Sequence, residues 1–243
     1  MGRAFQVRAA SMAATAAKKT KIYSRFGKEI YMAAKGGVPD PEMNLNLKRV
    51  IDKAKAAQVP NDVINRNIDK AKGNTNEAYL ENRYEGFGPS GSTIIIDTLT
   101  DNSNRTLSEI RGCFNKAKMN LGKAGSVSYS YDHVGILSFV ADEEEILDIL
   151  MLAEVDVIDL ELEEDGYITV YVNPTDLFKS KDAIEEAKGE IEFLILEHRM
   201  LPQETVVLTD DEDITLFKRV LTLLDDVDDV QNVYHNVENI DEN

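Results

Sequence analysis

The sequence predicts an α+β protein with an N-terminal helical bundle and two ferredoxin-like α/β domains, one inserted in the other. Three observations carry this prediction. Residues 22–72 repeat apolar side chains at helical spacing, and residues 92–237 pass four times from strand to helix to strand. The pair Asp165-Gly166, a strong hairpin signal, joins the second and third of these units.

Three short helices account for the N-terminal bundle. The apolar positions at helical spacing are Ile22, Phe26 and Ile30 in the first helix, Leu47, Val50, Ile51 and Ala54 in the second, and Ile64, Ile68 and Ala71 in the third. Asn61 is the predicted N-cap of the third helix, and Gly73 ends it.

The four strand–helix–strand units follow at a spacing of roughly 35 residues, which indicates a repeated architecture. The predicted strands are 92–99, 126–131, 134–141, 155–162, 167–172, 192–198, 204–209 and 229–237, and the predicted helices lie near 107–118, 143–153, 176–188 and 213–225. Two such units joined strand to strand form one split-βαβ domain.

The hairpin between units two and three favours their pairing, with units one and four pairing around them. The predicted division is a basic arm and helical domain at 1–80, a discontinuous α/β domain at 81–133 and 204–243, and an inserted acidic α/β domain at 134–203. In the alternative pairing, one with two and three with four, the hairpin becomes a joint between domains.

Charge divides the chain more sharply than the net value of −17 indicates. Residues 1–83 hold 16 Lys and Arg against 8 Asp and Glu, whereas the remainder holds 11 against 36. No acid precedes Glu29. Such asymmetry predicts a basic end that faces a polyanion and an acidic, solvated end.

The basic end supplies the candidate nucleic-acid-binding residues. They are Arg3, Arg8, Lys18, Lys19, Lys21, Arg25, Lys28, Lys48, Arg49, Lys53 and Lys55. Lys and Arg that contact phosphates give affinity and salt dependence but little sequence reading. The alternative interpretation is an ordinary solvated helix face. The acid-free N-terminus is also typical of a transit peptide.

The segment GFGPSG, within residues 84–91, matches the G-x-G-x-x-G dinucleotide fingerprint only formally. That fingerprint must follow a strand and open a helix, whereas these glycines precede the strand-like STIIID. We interpret the segment as a tight turn that enters the sheet. Tyr84 and Phe87 then either dock on the core or stack on a partner.

The segment TDNSNRT, residues 100–106, is the second candidate contact loop. Thr106 and Glu109 have the spacing of a capping box. Asn102, Asn104 and Arg105 cluster just before the start of the predicted helix, where backbone N–H groups favour anions. Turn and cap chemistry explains the same residues without a ligand.

Several function classes are not supported by the sequence. No apolar run reaches the ~20 residues of a membrane-spanning helix, and the single cysteine, Cys113, allows no intramolecular disulfide. His133, His198 and His235 lack metal-ligand spacing, and the acid runs are typical of helix caps. We therefore expect a protein that is not an enzyme and needs no metal or cofactor.

Six stretches together resemble the YebC/PmpR family, in particular its YeeN-like subgroup. They are KIYSRFGKEIYMAAKGG (21–37), IDKAKAAQVPNDVI (51–64), RYEGFGPSG (83–91), TDNSNRT (100–106), GSVSYSY (125–131) and DDVQNVYHN (228–236). The resemblance implies a helical domain plus two α/β domains, one inserted in the other, and an N-terminal arm that is kept in the mature protein.

The resemblance leaves the level of action open. Family members are described as cytoplasmic transcriptional regulators that bind DNA. A related mitochondrial translational activator and some bacterial relatives act on translation at the ribosome instead. The chain departs from the better-known subgroup at residues 2–7, GRAFQV, which lack the usual His and Trp, with Phe5 as the candidate replacement. The hypotheses are a DNA-binding regulator, a factor that contacts ribosomal RNA, and an acidic protein scaffold.

Overall fold

A computed structural model describes residues 19–73, 79–163 and 166–240. Its helices and two four-stranded sheets confirm the predicted α+β class. The chain divides into two compact units. The first unit contains the helical bundle and residues 133–199, and the second contains residues 79–132 and 200–240. The predicted domain boundaries at 80, 133 and 203 stay a prediction.

The elements are numbered in chain order. The helices are α1 (Lys19–Lys35), α2 (Leu45–Ala56), α3 (Asn61–Lys72), α4 (Ser103–Lys116), α5 (Glu143–Leu152), α6 (Leu177–Lys188) and α7 (Asp211–Asp225). The strands are β1 (Leu80–Phe87), β2 (Thr93–Thr100), β3 (Asn120–Leu121), β4 (Tyr131–Val140), β5 (Val157–Leu162), β6 (Tyr167–Val172), β7 (Ile195–Pro202) and β8 (Val230–His235).

The bundle helices lie close to their predicted positions. Leu47, Ile51 and Ala54 form the buried face of α2, as their spacing predicts. Asn44 caps α2, because its side chain accepts a hydrogen bond from the Leu47 N–H at 3.1 Å. The predicted cap of α3 is wrong: Asn61 is already helical, and the capping position is Pro60.

The sheet of the first unit has the strand order β5-β6-β4-β7. Strand β6 lies between β4 and β5, which α5 joins, and β4 lies between β6 and β7, which α6 joins. Each strand–helix–strand unit is therefore split by a strand of the other, as in a ferredoxin-like domain. The predicted hairpin joins β5 to β6, and Gly166 within it has φ +82°.

The sheet of the second unit has the order β3-β1-β2-β8 and corrects two predicted strands. Residues 126–131 contain a short 3₁₀ turn at Ser128–Ser130, and the strand of that unit is β3 instead. Residues 204–209 contribute only an isolated bridge from Val206 to Val237. The remaining strand is β1, and its residues 84–87 fall within the segment that the sequence predicts to be a turn.

Helix α2 packs against α6 and β7 within the first unit. The Arg49 guanidinium lies 5.1 Å from the centroid of the Phe178 ring. The Lys53 Nζ lies 3.1 Å from the Nδ1 of His198. These contacts draw one side of α2 into the structure of the unit.

Asp229 joins three parts of the second unit. Its side chain is only 6% exposed. One carboxylate oxygen accepts hydrogen bonds from the hydroxyls of Thr100 at 2.9 Å and Thr106 at 2.8 Å, and from the Arg105 guanidinium at 2.8 Å. The end of β2, the start of α4 and the turn before β8 therefore meet at one buried charge.

Replacing Asp229 by Ala is expected to lower the free energy of unfolding by about 2 kcal/mol, because buried hydroxyls lose their charged acceptor. Urea denaturation of the full chain measures the change. Asp101→Ala is the matched control, since Asp101 is an exposed partner of the same guanidinium, at 2.7 Å. We expect the control to change stability by less than about 1 kcal/mol. Equal losses in both variants would contradict the assignment of Asp229 as the joint.

The stability of the first unit is expected to fall as pH decreases from about 6.5 to about 4. Burial, and then the nearby positive charge of Lys53, lower the pKa of His198 from 6.5 to about 4. The unfolded chain binds a proton at the ordinary pKa, whereas folded His198 stays neutral until about pH 4. The contribution of His198 is therefore complete above about pH 6.5 and is lost as the pH falls to about 4.

Urea denaturation between pH 4 and pH 8 measures this dependence in the wild type and in His198→Gln. The Gln amide can still donate to the Pro174 carbonyl, which the His198 Nε2 contacts at 3.0 Å. Subtracting the free energy of unfolding of His198→Gln from that of the wild type at each pH cancels the contribution of carboxylates that titrate in the same range. Equal slopes in both proteins would show that His198 titrates normally.

Candidate nucleic-acid interface

Most of the nucleic-acid-binding residues predicted in the N-terminal arm lie outside the part of the chain that the structure describes. Arg3, Arg8 and Lys18 lie outside the described residues, and Lys19 begins α1. Lys21, Arg25 and Lys28 follow at i, i+4 and i+7 on α1, and all three are half-buried. This spacing puts the three cations on one face of the helix.

Of the four predicted cations on helix α2, two are half-buried and two are exposed. Arg49 and Lys53 are half-buried in the contacts with Phe178 and His198. Lys48 and Lys55 are exposed, and no ion pair of either is found among the described residues. They are seven residues apart, which is two helical turns or about 10 Å along one face. Lys48 and Lys55 can therefore reach an external anion, whereas Arg49 and Lys53 are engaged within the protein.

The cations of α3 and the end of α1 have partners within the bundle, although they remain exposed to solvent. Arg66 pairs with Asp62 at 3.3 Å, and Lys72 pairs with Asp69 at 2.8 Å. The Lys70 ammonium lies 5.3 Å from the centroid of the Tyr31 ring. The Lys35 ammonium donates to the Gly73 carbonyl at 3.2 Å, so each of these cations already has a partner within the bundle.

The segment around GFGPSG contains the end of β1 and the turn into β2. At Gly86 a Cβ atom would lie 2.1 Å from the Phe114 ring, so only glycine fits there. Gly91 has φ +79° in the turn. Tyr84 packs on the core, and its hydroxyl lies 3.4 Å from the Ser103 carbonyl. Phe87 stays 40% exposed, so of these two aromatics only Phe87 is available to a partner.

The segment TDNSNRT acts mainly in capping and pairing. Asn102, and not Thr106, caps α4, because its side chain accepts from the Arg105 N–H at 3.1 Å. The predicted capping box is therefore wrong, since the Thr106 hydroxyl bonds to Asp229. Hydrogen bonds to Asp229 and Asp101 raise the pKa of Arg105. Asn104 is exposed.

Sequence reasoning missed the buried carboxylate of Glu85, which is 3% exposed at the middle of β1. It accepts backbone N–H bonds from Gly125 at 2.8 Å, Val127 at 2.5 Å and Ser128 at 3.1 Å. Burial alone would raise the pKa of Glu85, but these three bonds outweigh it and lower the pKa. The ionised carboxylate thus fixes the loop after β3.

The histidines come closer together than their sequence separation indicates. The rings of His133 and His198 have centroids 5.8 Å apart, and the His235 ring packs edge-on against Phe217. No cluster of three or more His, Cys, Asp or Glu with metal-site geometry occurs among the residues the structure describes. Within the same ranges, no helix is long and apolar enough to cross a bilayer.

Comparison with known proteins accounts for nearly the whole chain. A family model described as the TACO1/YebC protein N-terminal domain matches residues 3–74. A second model, described as the TACO1/YebC second and third domain, matches residues 79–237. The two models meet near the end of α3, where the helical bundle gives way to β1.

Relatives match over full length. A "Probable transcriptional regulatory protein" of Acholeplasma laidlawii is 51% identical over 98% of this chain and 98% of its own. One of the same name from Pseudoalteromonas atlantica is 49% identical, over 97% of each chain. The crystal structure of a conserved hypothetical protein, Aq1575 from Aquifex aeolicus, superposes with a TM-score of 0.75 at 32% identity, over 93% of each chain. The resemblance to the YebC family is thereby confirmed at the level of the family, and the chain belongs to the TACO1/YebC family.

Proposed function

We propose that this protein is a cytoplasmic regulatory protein that binds nucleic acid through the basic face of its helical bundle. The observation that carries the proposal is the pair Lys48 and Lys55, exposed two turns apart on α2. Relatives are named probable transcriptional regulatory proteins, so the first candidate for the proposed function is regulation of transcription by binding DNA.

The distribution of charge supports the bundle as the contacting part. Residues 19–73 hold 12 Lys and Arg against 6 Asp and Glu. Residues 133–199, in the same unit, hold 4 against 19 and would repel a phosphate backbone. Lysines on a helix face neutralise phosphates and release counterions, which gives affinity without base reading.

A ribosome-associated translation factor that contacts ribosomal RNA is the second candidate. The exposed aromatic side chains Phe87 and Tyr129 favour it. Unpaired bases that can stack on aromatic rings are common in RNA loops and absent from intact duplex DNA. In this form the exposed lysines of α2 contact the ribosomal RNA backbone.

The double variant Lys48→Glu/Lys55→Glu is expected to weaken binding to duplex DNA and duplex RNA. Two lost phosphate contacts lower the slope of log affinity against log salt by about 2, because each contact contributes about 0.9. A fluorescence-anisotropy titration of 20-bp duplexes across a series of salt concentrations measures both quantities. Arg49 and Lys53 are left unchanged, since their replacement would disturb the packing of α2.

The matched control is Lys218→Glu/Arg219→Glu, which makes the same change in net charge at two exposed positions of α7. We expect the control to retain most of the affinity and the wild-type slope. Equal affinity and slope in the α2 variant and the wild type would exclude this face of α2. Equal losses of affinity in both double variants would show that net charge, and not the position of the lysines on α2, causes the effect.

Crosslinking in the cells that make the protein separates the two forms of the proposal. The protein is purified under denaturing conditions, and all attached DNA and RNA is sequenced. Discrete promoter DNA without ribosomal RNA supports transcriptional regulation. Ribosomal RNA clustered at one place supports a translation factor. If neither DNA nor RNA is recovered, the proposed function is wrong and the acidic-scaffold hypothesis is favoured.

A further inference from the structure

A second stretch without acids lies in the second unit, far from the basic arm in sequence. Residues 110–131 contain no Asp or Glu, although the chain holds 44 of them. Apart from residues 1–28, no other acid-free run exceeds 11 residues. The cations of this stretch are Arg111, Lys116, Lys118 and Lys123, all of them exposed.

The cations near the end of this stretch lie close in sequence to the edge strand of the sheet. Strand β3 forms the edge and pairs with β1 through Leu121 opposite Gly86. Lys118 precedes β3 by two residues, and Lys123 follows it by two. Lys118 pairs with Glu212 at 2.9 Å. For Lys116 and Lys123, the structure of the described ranges records no ion pair.

The loop at 122–130, directly after β3, has a fixed backbone. Besides the three bonds to Glu85, the Gln203 N–H donates to the Ser130 carbonyl at 3.0 Å. Val127 and Tyr131 are buried in one apolar cluster with Ile95 and Met200. The chain is therefore held on both sides of residue 129.

Tyr129 is the exception in this held loop, because its side chain is 76% exposed. The next most exposed aromatic among the described residues is Phe87 at 40%, and its ring lies beside Gly122 of the same loop. The neighbours Ser128 and Ser130 are small and polar. A tyrosine on a stiff backbone loses little conformational entropy when it contacts a ligand.

We propose that loop 122–130 and the lysines beside β3 form a binding site for a single-stranded nucleic acid. Tyr129 stacks on an unpaired base, and Lys116 and Lys123 contact the flanking phosphates. Aromatic side chains beside a basic, acid-free backbone are the pattern of single-strand binding surfaces. This inference rests on the proposed function but assigns a separate surface, which takes unpaired rather than duplex strands.

Tyr129→Ala is expected to weaken the binding of single strands by about 5- to 150-fold, the loss of one stacked base. The probes are a fluorescein-labelled 12-nucleotide RNA and the DNA of the same sequence, each also made with a central 2-aminopurine. We expect the wild type to quench 2-aminopurine fluorescence and Tyr129→Ala not to do so. The RNA and DNA arms show which strand the site prefers.

Three comparisons make the test specific. Tyr129→Phe keeps the ring and is expected to retain affinity within about twofold. Lys116→Glu/Lys123→Glu is expected to lower the salt slope by about 1.4, because each single-strand contact contributes about 0.7. Leu152→Ala, which removes an 86% exposed apolar side chain elsewhere, is the matched control and is expected to bind like the wild type.

The outcomes separate this inference from the proposed function. If the wild type binds single strands and Tyr129→Ala binds them equally well, the inference is wrong and the function stands. If the wild type binds neither duplex nor single strand, both are wrong. If Tyr129→Phe loses as much as Tyr129→Ala, a hydroxyl contact replaces stacking. Binding of a poly-glutamate peptide, lost in Tyr129→Ala while RNA binding is kept, would reassign the surface to an acidic protein.

Discussion

The packing of α2 against α6 and β7 determines which cations of the bundle can meet a ligand. A helix that packs part of its surface against the protein can offer only the remaining surface to solvent. Arg49 over Phe178 and Lys53 beside His198 contribute to the packed side. Asp52, between them, lies 3.5 Å from Lys181 of α6. The exposed side retains Lys48 and Lys55, so the folding of the unit itself selects the candidate site.

Buried carboxylates have the corresponding role in the second unit. Glu85 holds a loop through backbone N–H groups, and Asp229 holds a helix start through hydroxyls and a guanidinium. A buried charge is tolerated only when it is hydrogen-bonded, and each of these carboxylates accepts three hydrogen bonds. Segments that resemble ligand-binding loops in the sequence, such as TDNSNRT, therefore owe much of their composition to the fold.

The sequence predicted the sheet of the first unit well, because strand 167–172 is rich in β-branched and aromatic residues and shares a short hairpin with strand 155–162. Strand β1 was missed for a physical reason. Its signal is hidden by Glu85 and Gly86, and the partners that explain them, the loop at 125–128 and Phe114, lie far away in sequence. Residues 204–209 show the opposite error: their apolar run predicted a strand, but they form only an isolated bridge.

The candidate site was predicted in part for a similar reason. Composition identified the basic end, but it does not separate Lys48 from Arg49. These adjacent residues differ in direction by about 100° around the helix axis. That choice depends on α6 and β7, more than 120 residues away in sequence. The exposure of Tyr129 has no local signal either, because buried Val127 and Tyr131 lie two residues away on either side of it.

The net charge of −17 is compatible with both proposed surfaces. At physiological salt the Debye length is about 8 Å, so exposed charges much farther from a bound phosphate are largely screened. Near Lys48 and Lys55 the closest acid along α2 is Asp52, which is half-buried and lies 3.5 Å from Lys181. The chain has no acid from residue 110 to residue 131, and two carboxylates that contact this segment, Glu85 and Glu212, are bonded to backbone N–H groups of the loop and to Lys118. The acids elsewhere slow the approach of a polyanion at low salt, whereas local sign decides what binds once it has arrived.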